Sequence, residues 1–397
     1  MNRHFLFIGR DGAGHVNPTL PVVDKLIRRG HRVTYAVGAP FAEAVQLAGA
    51  KYLALPENEF RHGSQSGQSA LRDSNTDVVE MITDLLIEHA GRELPVLRDG
   101  FAADPPDAIC YDTNSLAGAM LAAIHGIPAA QLRPGFAANE HYTPLQEFVA
   151  GPDRLTTSLA AADARVRAYT SSYGITGSLA TVVTPGLSDL TVVFVPREFQ
   201  YRGETFGEGY VFVGPSEHDR VESGSWDPPA AGARLLFISL GTLMNQNLEF
   251  FRLCVDAFAD DDWLVAMAIG DRIDRAELGE IPANFDVRAY FPQLEVLKHA
   301  DVFLTHAGMN SAMEAVLNRV PTVAVPQMPE QQGNARRLSE LGLGVLLVEQ
   351  SASALRFAVS MVDGDHVIRE NLLQMAELFR NAGGATAAAD AIEALTG

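Results

Sequence analysis

Apolar and polar positions alternate along this chain with two periods. Short apolar runs of four to six residues recur: HFLFIG at 4–9, HRVTYAVG at 31–38 and DAICYD ending at Asp112. Each is too short and too uniformly apolar for an amphipathic helix, and each reads as a strand buried on both faces. Between them lie segments with apolar residues three and four apart: LPVVDKLIRRG after Pro18, PFAEAVQLAGA, and SLAGAMLAAIHG after Asp112. These read as helices, and the alternation predicts a parallel sheet covered on both faces. TVVFVP at 191–196 and YVFVGP at 210–215 read as the last strands of a first half. The polar, Pro-containing stretch SEHDRVESGSWDPPAAGA has the composition of a linker. A second α/β series starts with RLLFISLGT at 234–242 and continues through strands at 301–305 and 321–325. The tail MAELFRNAGGATAAADAIEAL is alanine-rich and predicts two helices broken at Gly383-Gly384. The predicted architecture is therefore α/β with two Rossmann-like parallel-sheet domains. Domains are expected at 1–215 and 233–380, with a linker at 216–232 and a terminal helix within 381–397. Residues 58–69 read as a polar surface loop. Residues 137–163 read as helical, with Phe136, Tyr142 and Phe148 lining a pocket or packing in the core.

The chain's 397 residues suit two cores better than one. Its net charge of -19 argues against nucleic acid and anionic lipid as partners. Cys110 and Cys254 lie inside apolar runs, as buried free thiols of a reducing compartment do. No run approaches the length of a membrane span, and the N-terminus reaches Gly and Asp too early for a signal peptide. A cytoplasmic protein without membrane partners is expected.

Chemistry concentrates where predicted strands end. The turn Gly9-Arg10-Asp11-Gly12-Ala13-Gly14 lacks the dinucleotide spacing, and the next strand ends Ala36-Val37-Gly38 without the acidic residue a ribose needs. This argues against NAD. It leaves His15 at the tip of a strand-helix turn, either a helix-start polar group or a base aimed at a ligand. Asp112, at the end of another strand, could orient that imidazole or cap the following helix. In the second half Ser239, Gly241 and Thr242 follow a strand and would let backbone approach a ligand. His306 and Gly308 form a sharp turn; Asn310 and Ser311 open a helix with Glu314 on its first turn. Strand, glycine turn and helix start together suit a phosphate. Ser311 could be only a cap, and Glu314 a solvated helix residue or an acceptor from a ribose. Tyr290, Phe291 and Gln293 could meet a nucleobase. Glu330 and Gln331 offer acceptors for sugar hydroxyls. His31 and His62 read as isolated, Asp260 to Asp262 as a solvated turn, and no metal motif or nucleophile elbow is present.

THAGMNSAMEAV followed by VPQMPEQQGNA, with GAGHVNP, CYD, FVPREFQ and ISLGT, resembles the nucleotide-sugar-dependent glycosyltransferases of the GT-B fold. The nearest resemblance is to the bacterial macrolide-type enzymes that glycosylate natural products. It covers most of the chain except about 58–72 and 136–177. The resemblance implies two domains facing across a cleft, with the terminal helix crossing back to the first. It implies no cofactor, and a nucleotide-sugar co-substrate, read as UDP-glucose with a dTDP-sugar as the alternative. His15 would deprotonate an acceptor hydroxyl with Asp112 behind it, in one inverting, metal-independent step. His306, Asn310 and Ser311 would hold the diphosphate, Gln293 the base or ribose, and Glu314 the ribose. Tyr290 stands where the family often has a stacking tryptophan. Glu330 and Gln331 would hold the hexose. Asn17, Met81, Phe136 and Tyr142 are candidates for the acceptor side, and a monomer or homodimer is expected. A nucleotide-sugar 2-epimerase and a non-catalytic nucleotide-sugar-binding partner are the other readings.

Overall fold

The computed structural model describes residues 2–56, 77–184, 188–216, 226–228, 232–242, 245–259 and 261–397. The expected surface loop at 58–69, His62 and Asp260 lie outside them. The chain divides into two units, Met1–Arg220 with Ala382–Gly397, and Val221–Asn381.

The first unit holds β1 (His4–Ile8), β2 (Arg32–Val37), β3 (Lys51–Ala54), β4 (Ala108–Asp112), β5 (Ala129–Arg133), β6 (Leu190–Val193) and β7 (Tyr210–Phe212). They form one parallel sheet in the order β3-β2-β1-β4-β5-β6-β7. Period-two alternation assigns the strand side chains to two cores. From β1, Leu6 and Ile8 join the cluster beneath the helices Val78–Ala103 and Leu116–His125. Phe5 and Phe7 join the opposite cluster beneath the helix Leu20–Arg28. The long helix starts where Asp77 accepts from the N–H groups of Val79 and Glu80.

The helix Gly384–Ala394 belongs to this same unit and packs on Leu20–Arg28 and β6. Ala385, Ala388, Ala389 and Ile392 are buried, the three- and four-residue spacing of one helical stripe. The alanines permit close approach, so a larger side chain at the fully buried Ala388 should cost about 1–3 kcal/mol by overpacking. Ion pairs from Arg29 to Asp390 and Glu393 and from His31 to Glu393 tie its polar edge. His31 is thus paired, not isolated. Gly383 and Gly384, at φ 92 and 52, break this helix from His366–Asn381.

Two expectations change. Residues 137–163 are not one helix: Pro144–Glu147 is a 3-10 turn, and the helix Pro152–Ser171 begins only after Gly151 at φ 87. A left-handed glycine followed by proline stops one element and starts the next. Trp226, inside the segment read as a linker, is buried in the second unit's core, its indole N–H donating to Asp286.

The second unit holds β8 (Arg234–Ser239), β9 (Trp263–Ala268), β10 (Phe285–Arg288), β11 (Val302–Thr305), β12 (Thr322–Ala324) and β13 (Gly344–Leu346). They are parallel in the order β10-β9-β8-β11-β12-β13. The two cysteines are buried free thiols, and burial pushes both above their ordinary pKa. Among the described residues no helix is long and apolar enough to cross a membrane.

Candidate functional site

In each sheet the strand order reverses beside the unit's first strand, between β1 and β4 and between β8 and β11. Chains leaving the carboxyl ends of such neighbours part to opposite faces, which opens a crevice. His15 and Asp112 follow or end the strands of the first reversal, and Ser239, Gly241, Thr242 and His306 those of the second.

In the first unit, the turn after β1 leads into the four-residue helix Ala13–Val16, which carries His15. Asp112 is the last residue of β4. His15 Nδ1 lies 2.8 Å from Asp112 Oδ2. The other carboxylate oxygen accepts from the Asn114 N–H at 2.8 Å, while Ser115 caps the following helix. Asp112 is therefore the histidine's partner and not a helix cap. The side chain of His15 is 31% exposed and that of Asp112 only 4%, so solvent reaches the imidazole and not the carboxylate. A carboxylate on Nδ1 fixes the proton there and leaves the basic lone pair on Nε2.

The acceptor-side candidates lie on several elements of the first unit. Asn17 and Met81 are half-buried on separate elements. Phe136 and Tyr142 are buried and pack against Phe199 and Tyr201.

In the second unit, β11 ends in Thr305 and the chain turns through His306, Ala307 and Gly308 into the helix Met309–Leu317. Ala307, buried with φ 60, takes a left-handed conformation that costs a non-glycine residue roughly 1 kcal/mol or more. Thr305 Oγ1 accepts from its N–H and Asn334 Nδ2 donates to its carbonyl at 2.9 Å, which together hold the turn. No side chain caps the helix, so its first N–H groups are left for another acceptor. Asn310 and Ser311 sit in this first turn, but Glu314 lies in the second, 2% exposed and not solvated. Gln293 Nε2 donates to Glu314 Oε2 at 2.5 Å and to Ser311 Oγ at 3.1 Å, making one hydrogen-bonded trio.

Gly241 and Gly308 both lie against the ring of His306. A Cβ on either would fall 2.6 Å or 2.4 Å from the His306 ring. They make the slot for the imidazole, and Gly241 also has φ 76. Burial pushes His306 down to about 4, so it is neutral at pH 7 and donates through one N–H. Ser239 is buried and accepts from the Gly241 N–H, and Thr242 is exposed. Tyr290 is 53% exposed, whereas Phe291 packs against Trp226 and Phe237, so only Tyr290 presents a free face. Gln331 is buried, its side-chain carbonyl accepting from the Gln327 N–H, and Glu330 is exposed, accepting from Asn334. Sequence reasoning missed Asn334 and Gln327 as braces. Their one signal is the four-residue helical spacing from Glu330 to Asn334.

A family profile described as "Erythromycin biosynthesis protein CIII-like, C-terminal domain" matches residues 252–395. The chain is 36% identical to demethyllactenocin mycarosyltransferase of Streptomyces fradiae, over 99% of this chain and 86% of that one. It is 38% identical to NDP-glycosyltransferase YjiC of Bacillus subtilis (strain 168), over 98% and 97%. Among solved structures, that of CalG4, the calicheamicin glycosyltransferase, superimposes with a TM-score of 0.81 at 34% identity, covering 100% of this chain and 98% of that one. The chain belongs to the family-one natural-product glycosyltransferases of the GT-B fold. It is a glycosyltransferase that takes a nucleotide-sugar as co-substrate.

Proposed function

We propose that this enzyme moves a hexose from a nucleoside diphosphate to a hydroxyl of a hydrophobic natural product, with inversion at the sugar carbon. The observation that carries the reading is the His15–Asp112 pair, a partly exposed imidazole on a buried carboxylate at 2.8 Å. Nε2 of His15 takes the acceptor's hydroxyl proton while the oxygen attacks C1 of the sugar. The bond from C1 to the diphosphate oxygen breaks, and its electron pair leaves with the nucleotide. Asp112 stabilises the imidazolium that forms. An α-linked donor gives a β-glycoside.

The charge on the leaving diphosphate is met without a metal by the N–H groups of the helix Met309–Leu317, neutral His306, Asn310 and Ser311. Tyr290 stacks on the base, the Gln293–Glu314 pair takes the ribose, and Glu330 with Gln331 takes the hexose. A carboxylate beside an amide suits a hydroxyl-rich sugar, which favours UDP-glucose. The second reading, a dTDP-deoxysugar, is favoured by the relative named for mycarosyl transfer.

The test is incubation with UDP-glucose or a dTDP-sugar against panels of polyphenols and macrolides, read by mass shift and by the anomeric proton coupling of the product. A β-glycoside one hexose heavier supports the reading. A rearranged nucleotide-sugar with no glycoside would make the protein an epimerase. His15→Ala should abolish transfer while nucleotide binding persists, and undiminished turnover would remove His15 as the base.

A further inference from the structure

Ile8 of β1 pairs with Tyr111 of β4, so the turn that carries Arg10 leaves the sheet beside Asp112, and a charged cluster to which the transfer reaction gives no role lies there. Arg10, in the turn after β1, donates to His89 Nδ1 at 2.6 Å. His89 and Glu93, one turn apart on the helix Val78–Ala103, are 3% and 5% exposed. Burial, with Arg10 and Arg92 nearby, pushes His89 down to about 3, so it serves as a neutral acceptor that tethers the guanidinium. Burial holds the pKa of Arg10 below its ordinary value, Glu93, Asp112 and Asp11 raise it, and Arg92 lowers it. Asp112 also feels Arg133 from β5 and Tyr35 from β2. Arg133 is committed elsewhere, donating to Gln131 and to the carbonyls of Phe136 and Thr181.

A histidine base on a buried carboxylate runs a specific risk. If nothing competes for the carboxylate's charge, the imidazolium is stabilised so well that the base stays protonated at neutral pH. A fixed cation behind the carboxylate counters this, and arginine is the side chain that keeps its charge when buried.

Resting on the reading of His15 as the base, we propose that Arg10 is a positioning residue for the dyad. Tethered by His89 and partly balanced by Glu93, it sets the charge felt by Asp112 and so how strongly His15 holds its proton.

The experiment uses the full chain with Arg10→Met, Arg10→Lys and Glu93→Gln. Two readouts are taken, the acid limb of the kcat/KM–pH profile and the NMR titration of the His15 imidazole. Arg10→Met should move both upward by about one pH unit. Arg10→Lys should move both upward by less than Arg10→Met does, because a buried lysine keeps its charge less firmly. Glu93→Gln should move both the opposite way, a reversal that a loosened core does not produce. Shifts of the same sign in Arg10→Met and Glu93→Gln, or no shift in either, would overturn the proposal, and Glu93→Gln keeps it testable if Arg10→Met does not fold. If the imidazole titration moves as expected and the kinetic limb does not, the tuning stands and the general-base reading falls.

Discussion

The two units solve different problems at the same place in the same topology. Each sheet reverses its strand order beside its first strand, and each puts its reactive turn there. In the first unit that turn delivers side chains, an imidazole held by the carboxylate that ends β4 and a guanidinium bonded to His89. In the second it delivers an uncapped helix start and a histidine in a glycine slot, which is neutral. The difference teaches that the sheet fixes where a ligand can sit, and the few residues of the turn decide whether a titratable pair or a row of backbone donors is presented there.

That contrast breaks most sharply on the dyad. His15→Ala should lower kcat by about 10³-fold, and Asp112→Asn by about 10²- to 10³-fold, with the nucleotide Kd from calorimetry unchanged in both. A matched loss of nucleotide affinity would show that the first unit also binds the donor. Next in size, Gly241→Ala should destabilise the second unit by about 2–3 kcal/mol, because the new Cβ meets the His306 ring and the residue must keep φ 76. Denaturant melts with nucleotide titration measure this, and an unaffected nucleotide Kd would separate the slot from the binding function.

Acid sharpens the comparison in a different way. His306 at about 4 and His89 at about 3 lie below the ordinary histidine value. In both cases the folded group stays neutral while the unfolded chain takes up a proton below pH 6.5. Stability is therefore full above about pH 6.5 and falls by up to about 1.4 kcal/mol per pH unit for each group. The fall runs to about pH 4 for His306 and about pH 3 for His89. Hydrogen exchange resolved by unit should show His306→Gln flattening the second unit's slope and His89→Gln the first's. The smallest effect is expected from Gln293→Ala. Losing the two hydrogen bonds that set Glu314 and Ser311 should weaken nucleotide binding about fivefold to tenfold, near 1 kcal/mol.

The sequence made the strands and both glycine turns legible, because parallel strands are uniformly apolar and end in small polar residues. Asp112 was legible as a candidate, and its choice between cap and dyad was not, since Ser115 three residues on is an equally good cap. Burial of Glu314 was hidden because its amide partner lies 21 positions earlier. The Arg10–His89 bond spans 79 positions, and neither residue belongs to a local pattern. The packing of Phe136 on Phe199 and of Tyr142 on Tyr201 joins distant segments, so no local pattern announces it. Local periodicity carries the fold, and contacts between distant segments carry the electrostatics.

The helix Gly384–Ala394 has a consequence for how the protein is made. Its buried stripe completes a core whose other members, Val22, Val23 and Leu26, leave the ribosome hundreds of residues earlier. Val221–Asn381 is contiguous and can fold as it emerges, whereas the unit synthesised first is finished last. Until residues 384–394 are translated, the apolar face of Leu20–Arg28 stands open to solvent and to aggregation. A nascent chain stalled before residue 384 would therefore hold a completed second unit and an unsealed first one.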